Sequence, residues 1–252
     1  MNPVFFLITL VAIPYTMILG ILCRVKISIC LRKILARVCS ALDIDLSKAK
    51  KKSFDDYESF LEVFIREPEN VKIEDGSVVS PCEGTILQVD GINADGVLAK
   101  AKLSRLISQV RFSVESCLGI YLSVSDFHRV YSPVSGSVLS VERKGICLGS
   151  VNPKNKIWYL DDALFLNKRV FVYFSTDQLG AICMILVGAL GVSRIVFSEK
   201  FQREYHLGNF LKGDEIARFE LGSFVWLLFE RKMVFTKKVF EKVSIGQALV
   251  LG

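Results

Sequence analysis

Along the chain of 252 residues the rhythm of apolar and polar positions changes three times. From Pro3 to Cys23 no residue is charged. A helix of that length, at about 1.5 Å per residue, reaches roughly 30 Å, the thickness of a bilayer core. Pro14 lies inside this stretch, where membrane helices tolerate it. Next, Ile27, Leu31, Ile34, Leu35, Val38 and Leu42 recur at helical spacing with Arg and Lys between them. That pattern predicts an amphipathic helix, either lying on a membrane or packed on the rest of the protein. A polar, basic break from Ser47 to Ser53 precedes a predicted short helix from Phe54 to Phe64. From about Val78 onward the apolar residues fall in short runs bounded by Gly, Pro, Asn and Asp. The runs from Gly84 to Val89, Val97 to Lys102, Val138 to Glu142, Arg169 to Ser175, Ala181 to Leu190 and Ser223 to Glu230 predict strands joined by tight turns. Strands and helices do not alternate over long stretches, which argues against a parallel doubly wound sheet. The expected fold is mainly β (α+β), an antiparallel β-rich domain over residues 47–252, preceded by membrane-associated helices over residues 1–46.

Composition and charge refine this picture. The apolar fraction of 51% and mean hydropathy of +0.40 are high for a soluble chain. The net charge of +6 is concentrated beside the uncharged stretch, in Arg24, Lys26, Arg32, Lys33 and Arg37, and again in Lys48, Lys50, Lys51 and Lys52. Cations on the C-terminal flank, with only the chain's amine on the other side, orient the bulk of the protein toward the cytoplasm at the cell membrane. Anionic lipid headgroups suit such a cluster. Nucleic acid does not, because no basic stretch is interleaved with aromatic residues. A secretory signal is disfavoured by the uncharged Met1-Asn2 start, and a lipoprotein signal by Leu22 in front of Cys23. The seven cysteines are odd in number and scattered, with no CxxC pair and no metal-ligand spacing. They read as reduced, mostly buried thiols rather than disulfides or a metal site.

Candidate chemistry centres on Gly222-Ser223, at the end of a strand-like run that begins at Lys212. Taken alone, Gly-Ser is a common turn pair. It can also be a self-cleavage site: the hydroxyl attacks the preceding carbonyl, the amide becomes an ester, and elimination leaves a pyruvoyl group. The surroundings favour the second reading. The run Lys212-Gly213-Asp214-Glu215-Ile216-Ala217-Arg218-Phe219-Glu220-Leu221-Gly222-Ser223 resembles the C-terminal pattern of the phosphatidylserine decarboxylase family. Tyr121-Leu122-Ser123-Val124-Ser125-Asp126-Phe127-His128-Arg129-Val130-Tyr131-Ser132-Pro133 is similar to the family's YLSPxDYHRxHxP segment. Leu166-Asn167-Lys168-Arg169-Val170, Ile185-Leu186-Val187-Gly188-Ala189, Ser80-Pro81-Cys82-Glu83-Gly84, Phe64-Ile65-Arg66-Glu67-Pro68 and Val243-Ser244-Ile245-Gly246-Gln247 match further blocks in order.

The resemblance implies a proenzyme cut between Gly222 and Ser223. Its two chains would stay together as a heterodimer, which can associate further. Ser223 would become a covalent pyruvoyl group that decarboxylates phosphatidylserine to phosphatidylethanolamine without metal or pyridoxal phosphate. His128 would serve proton transfer or hold the carboxylate. Asp126, two residues away, would orient or charge the imidazole if the segment is extended, or cap a turn. The chain departs from the larger bacterial branch at the self-cleavage relay: Glu83 stands for Asp and Tyr131 for the second His, a phenol that is a poor base at neutral pH. Phe224 replaces the usual Thr, and Ala101 a usual Gly. The short branch also lacks that second His, leaving His128 as the expected base. Two alternatives stay open at this level: a non-catalytic relative that binds anionic lipid, and the same chemistry on serine headgroups of other lipid backbones. His206 matches no motif, and a surface or loop role is expected for it.

Overall fold

The fold was read from a computed structural model, which describes residues 17–28, 32–89, 92–93, 100–145, 151, 167–189, 194–204, 208–220 and 222–251. Most of the uncharged N-terminal stretch and His206 lie outside these residues. Residues 17–24 are helical, and no helix of the described residues is long and apolar enough to cross a membrane.

The strands are β1 (Val78–Val79), β2 (Gly84–Val89), β3 (Ile92–Asn93), β4 (Ser116–Leu122), β5 (Arg129–Tyr131), β6 (Gly136–Lys144), β7 (Arg169–Thr176), β8 (Gly180–Gly188), β9 (Arg194–Phe197), β10 (Asn209–Phe210), β11 (Glu215–Glu220), β12 (Ser223–Phe229), β13 (Lys242–Val243) and β14 (Ala248–Val250). Helices are α1 (Arg32–Ala41), α2 (Phe60–Phe64), α3 (Lys100–Ile107) and α4 (Glu199–Glu204). A large sheet runs β10-β6-β7-β8-β12-β4-β2-β13, with β3 on β2. Beside it are a three-stranded sheet, β5-β11-β9, and the pair β1-β14. Every ladder among the described residues is antiparallel, as the sequence predicts.

Strand β12 is the spine. It lies between β8 and β4 over its whole length, and all seven of its residues are buried. Its side chains alternate between two cores, because successive residues of a strand face opposite sides of the sheet. Val225, Leu227 and Phe229 enter one core, which the three-stranded sheet covers with Val130, Ile216 and Phe219 and α4 covers with Phe201. Phe224, Trp226 and Leu228 enter the other, which α3 covers with Leu106. A strand buried on both faces reads as a continuous apolar run, as Ser223-Phe224-Val225-Trp226-Leu227-Leu228-Phe229 does.

Two predicted elements are corrected. The run from Val97 to Lys102 is not a strand where it is described, because Lys100 opens α3. Ala and Lys are good helix formers, and Leu103, Leu106 and Ile107 carry helical spacing onward. The predicted helix from Phe54 to Phe64 divides into a 3-10 turn, Phe54–Asp56, and α2. Ser53 caps the first piece and Ser59 the second, with Tyr57 extended between them. Side-chain oxygens that satisfy free backbone N–H groups start helices, and two such caps six residues apart make two short elements. The amphipathic helix is present as α1: Leu35 and Cys39 pack with Ile44, Tyr57, Val63 and Phe127, while Ile34, Val38 and Leu42 are exposed.

Candidate functional site

Gly222 and Ser223 occupy the corner where the chain leaves the three-stranded sheet at the end of β11 and enters the large sheet as β12. Gly222 has φ +56°, a left-handed conformation that costs a residue with a Cβ about 1–2 kcal/mol. Ser223 is fully buried and stands opposite Gly188 on β8 and Leu122 on β4. Its Oγ has no hydrogen-bond partner among the described residues. The carbonyl oxygen of Gly222 accepts a hydrogen bond from the Ala189 N–H at 3.1 Å.

A turn from Leu122 to His128 wraps this corner. At one end Leu122 is the register partner of Ser223; at the other the His128 carbonyl accepts from the Phe219 N–H at 2.9 Å. The segment is not extended. The Asp126 N–H donates to the Ser123 carbonyl at 3.0 Å, and the Asp126 carboxylate turns back to accept from the Ser123 N–H and hydroxyl at 2.8 and 2.9 Å. Asp126 therefore caps the turn with its carboxylate, one of the two roles the sequence leaves open. It holds the imidazole with its backbone instead: its carbonyl lies 2.9 Å from His128 Nδ1.

That contact sets the tautomer. A carbonyl only accepts, so Nδ1 carries the hydrogen and Nε2 presents its lone pair. Nε2 is buried and has no hydrogen-bond partner among the described residues. Burial pushes the imidazole down to about 3, with the Asp126 carbonyl and carboxylate opposing and Arg66 reinforcing. The ring packs against Phe64, with centroids 3.8 Å apart. His128 is thus a neutral imidazole whose free nitrogen lies away from water.

Glu83 and Asp126 are brought together, but through the turn and a lysine rather than through the imidazole. Glu83 accepts from the Phe127 N–H at 3.0 Å. Lys242 pairs with Asp126 at 2.9 Å and reaches Glu83 at 3.9 Å. Burial works against the Lys242 ammonium, but the Asp126 pair and the Glu83 field outweigh it and raise its pKa. The Glu83 turn is fixed in part by the last block of the chain, since Ser80 donates to the Gln247 carbonyl and accepts from Gly246. Tyr131 sits apart from this group. Its N–H donates to the Pro81 carbonyl, it pairs with Glu215 on β11, and burial aided by Glu215 pushes its phenol well above the ordinary range. Among the described residues no hydrogen bond joins Glu83 to the Tyr131 phenol or to the His128 ring.

Four residues of this region carry no assigned role in the sequence reading. Buried Arg66 donates to the Ser125 carbonyl at 2.5 Å and lies 4.6 Å from the Phe127 ring, supporting the turn from behind. Lys242 completes the acidic pair. Asn167 donates to the Gly188 carbonyl at 2.8 Å, and Ala189 meets Gly222. Arg66, Asn167 and Ala189 stand inside matched blocks, which is the signal that could have found them; Lys242 stands in none. Buried Glu220, two residues before Gly222, pairs with Arg24 and lies 3.9 Å from Arg194. Cys23, Cys39, Cys82 and Cys183 are buried free thiols, as the cysteine pattern predicts.

Comparison with known proteins agrees with this geometry. The phosphatidylserine decarboxylase family model matches residues 57–251. The phosphatidylserine decarboxylase proenzyme of Acinetobacter baylyi is 31% identical over 232 residues, covering 80% of this chain and 77% of that one. The proenzyme of Psychrobacter arcticus is 30% identical and covers 76% of each chain. That of Acinetobacter baumannii is also 30% identical, covering 80% and 78%. With a matched domain that contains the corner at Gly222-Ser223, the turn at His128 and the strands that bracket them, this chain belongs to the phosphatidylserine decarboxylase family.

Proposed function

We propose that this protein is a phosphatidylserine decarboxylase proenzyme that cuts itself between Gly222 and Ser223 and carries its pyruvoyl group on residue 223. The observation that carries this reading is a pair of orphaned buried atoms, the nucleophile Ser223 Oγ and the base His128 Nε2, on two segments tied together at both ends. Leaving a buried polar atom unpaired costs about 1–3 kcal/mol, and in this reading the two atoms become partners when the Ser223 proton is transferred.

In the uncut chain the Ser223 hydroxyl gives its proton to His128 Nε2, and Oγ bonds to the Gly222 carbonyl carbon. The bond from that carbon to Ser223 N breaks, and the freed amine takes up the proton. The Ser223 Cα proton is then lost to a base as the Gly222 carboxylate leaves Cβ. The dehydroalanine so formed tautomerises to an imine by taking a proton at Cβ, and addition of water with loss of ammonia leaves the ketone. The pyruvoyl group supplies an electron sink that lets the carboxylate of an amine substrate leave as carbon dioxide. His128 holds or returns a proton beside it, while Glu83, Asp126, Lys242 and Arg66 keep the turn in place. The small product, residues 223–252, contributes β12, β13 and β14 to four ladders, with β8, β4, β2 and β1, so a cut at its start leaves it woven into a two-chain heterodimer.

Membrane association on the cytoplasmic side belongs to the same proposal, with residues 1–46 as anchor. Met17, Ile18, Ile21, Leu22, Val25 and Ile34 are all more than half exposed and are flanked by Arg24, Lys26, Arg32 and Lys33. An exposed apolar face beside cations suits an anionic lipid surface. Purified protein mixed with phosphatidylserine vesicles is expected to release carbon dioxide and form phosphatidylethanolamine, and Ser223→Ala to abolish both. Activity that survives Ser223→Ala contradicts the assignment.

A further inference from the structure

Attack of Ser223 Oγ on the Gly222 carbonyl puts the developing negative charge on Gly222 O. One backbone donor already meets that oxygen. We propose that the Ala189 N–H is the oxyanion donor of self-cleavage, and that the Asn167 side chain is the positioning residue that aims and strengthens it. This inference rests on the self-cleavage reading above.

The contact arises from the sheet itself. Ser223 is in register with Gly188, and the ladder runs one residue further, so the Ala189 N–H lies 3.1 Å from Gly222 O. A ladder donor is rigid and needs no reorganisation when charge develops, the condition under which such donors accelerate acyl transfer most. As Gly222 O passes from carbonyl to oxyanion, its bond to the N–H becomes charge-assisted and roughly doubles in strength. Gly222 contributes its left-handed φ of +56°, which turns the chain at the end of β11 while its carbonyl stays on the β8 side.

Asn167 acts on the same peptide unit from its other end. It is fully buried, and its Nδ2 donates to the Gly188 carbonyl at 2.8 Å. The Gly188 N–H donates to the Lys168 carbonyl at 2.9 Å, closing the grip. The peptide joining Gly188 to Ala189 is therefore held at its oxygen by Asn167, and its N–H faces Gly222. Donation into an amide oxygen polarises that amide and makes its N–H a better donor. The bookkeeping is redox-neutral: the Oγ–C bond forms, the carbonyl electron pair moves to Gly222 O, and collapse returns it as the C–N bond breaks.

The test uses the full chain in detergent micelles, with the cut fraction followed by intact mass. Hydroxylamine cleaves an ester as it forms, so the cutting rate in its presence reads the acyl shift alone. Replacing Ala189 with lactic acid by nonsense suppression exchanges the N–H for an oxygen and keeps the methyl. That change is expected to slow cutting in hydroxylamine by about 100-fold, and Asn167→Ala by about 10-fold. Asn167→Asp is expected to be slower still, because its carboxylate oxygens repel the Gly188 carbonyl. A cooperative melt of each variant in a Ser223→Ala chain verifies the fold; if the lactic acid chain does not fold, the two Asn167 variants decide. Unchanged rates in hydroxylamine, or slow cutting that hydroxylamine restores, overturn the inference. A wild-type chain that never cuts at 222–223 overturns the self-cleavage reading instead.

Discussion

The buried imidazole of His128 makes stability depend on pH in a way that can be worked out in advance. Burial lowers it from an ordinary 6.5 to about 3 in the folded chain. Between those values the unfolded chain binds a proton that the folded chain does not, so stability is lost as pH falls from 6.5 toward 3. From about pH 7.5 to about pH 5 the loss is roughly 2 kcal/mol, at about 1.4 kcal/mol for each pH unit below 6.5. The assay is denaturant unfolding in micelles of the uncut Ser223→Ala chain, with and without His128→Gln. The glutamine chain is expected to show a shallower loss by that amount. Nuclear magnetic resonance gives an independent reading, since the chain has only two histidines and His206→Asn assigns the other. A His128 resonance that titrates near 6.5, or identical pH dependence in both chains, refutes the reasoning. A corollary concerns rate: with Nε2 unprotonated down to about 3, self-cleavage is not expected to fall through an ordinary histidine titration between about pH 7 and pH 5.

Three further outcomes follow from the geometry. Lys242→Ala leaves Asp126 buried without its cation; because the lysine is largely exposed, the expected cost is about 1–2 kcal/mol, read as a lower melting temperature, and Asp126→Asn in the same chain restores most of it. Tyr131→His is expected to raise the rate of cutting, measured as cut fraction against time, because it replaces a buried phenol held further from ionisation than a free one. Since no hydrogen bond among the described residues joins Tyr131 to Glu83, adding Glu83→Asp is expected to change the rate by about the product of the single changes. Gly119→Ala on β4 places a Cβ 2.8 Å from the Phe224 ring and 3.0 Å from the Trp226 ring, and is expected to destabilise the central strands by about 1–3 kcal/mol in a thermal melt.

What the sequence reveals of this protein follows the range of each signal. Strands β7, β8 and β12 are legible because residues buried on both faces leave long apolar runs. The segment near Lys100 misleads because Ala and Lys alternate there over a span too short to separate period 2 from period 3.6. Ser223, His128 and Glu83 are legible through blocks of neighbouring residues. The task of Asp126 is not, because it depends on whether the chain turns at Ser123, and the turn directs the carboxylate away from the imidazole and leaves the carbonyl to hold it. Lys242 is invisible for a different reason: its partner Asp126 is 116 residues away, and nothing local marks an exposed lysine near the C-terminus as the counter-ion of a buried turn. Asn167 and Ala189 are visible as members of matched blocks, but their work on Gly222 appears only once β8 and β12 are placed side by side.

The central claim is that Ser223 is the self-cleaving residue of this family member, and intact-mass measurement of the purified wild-type chain tests it most directly. The account predicts two chains, residues 1–222 and 223–252, the smaller lighter by the mass of ammonia than one that begins with an unmodified serine. It also predicts a single uncut chain for Ser223→Ala. A wild-type protein that remains one intact chain, or one cut at another bond, contradicts it.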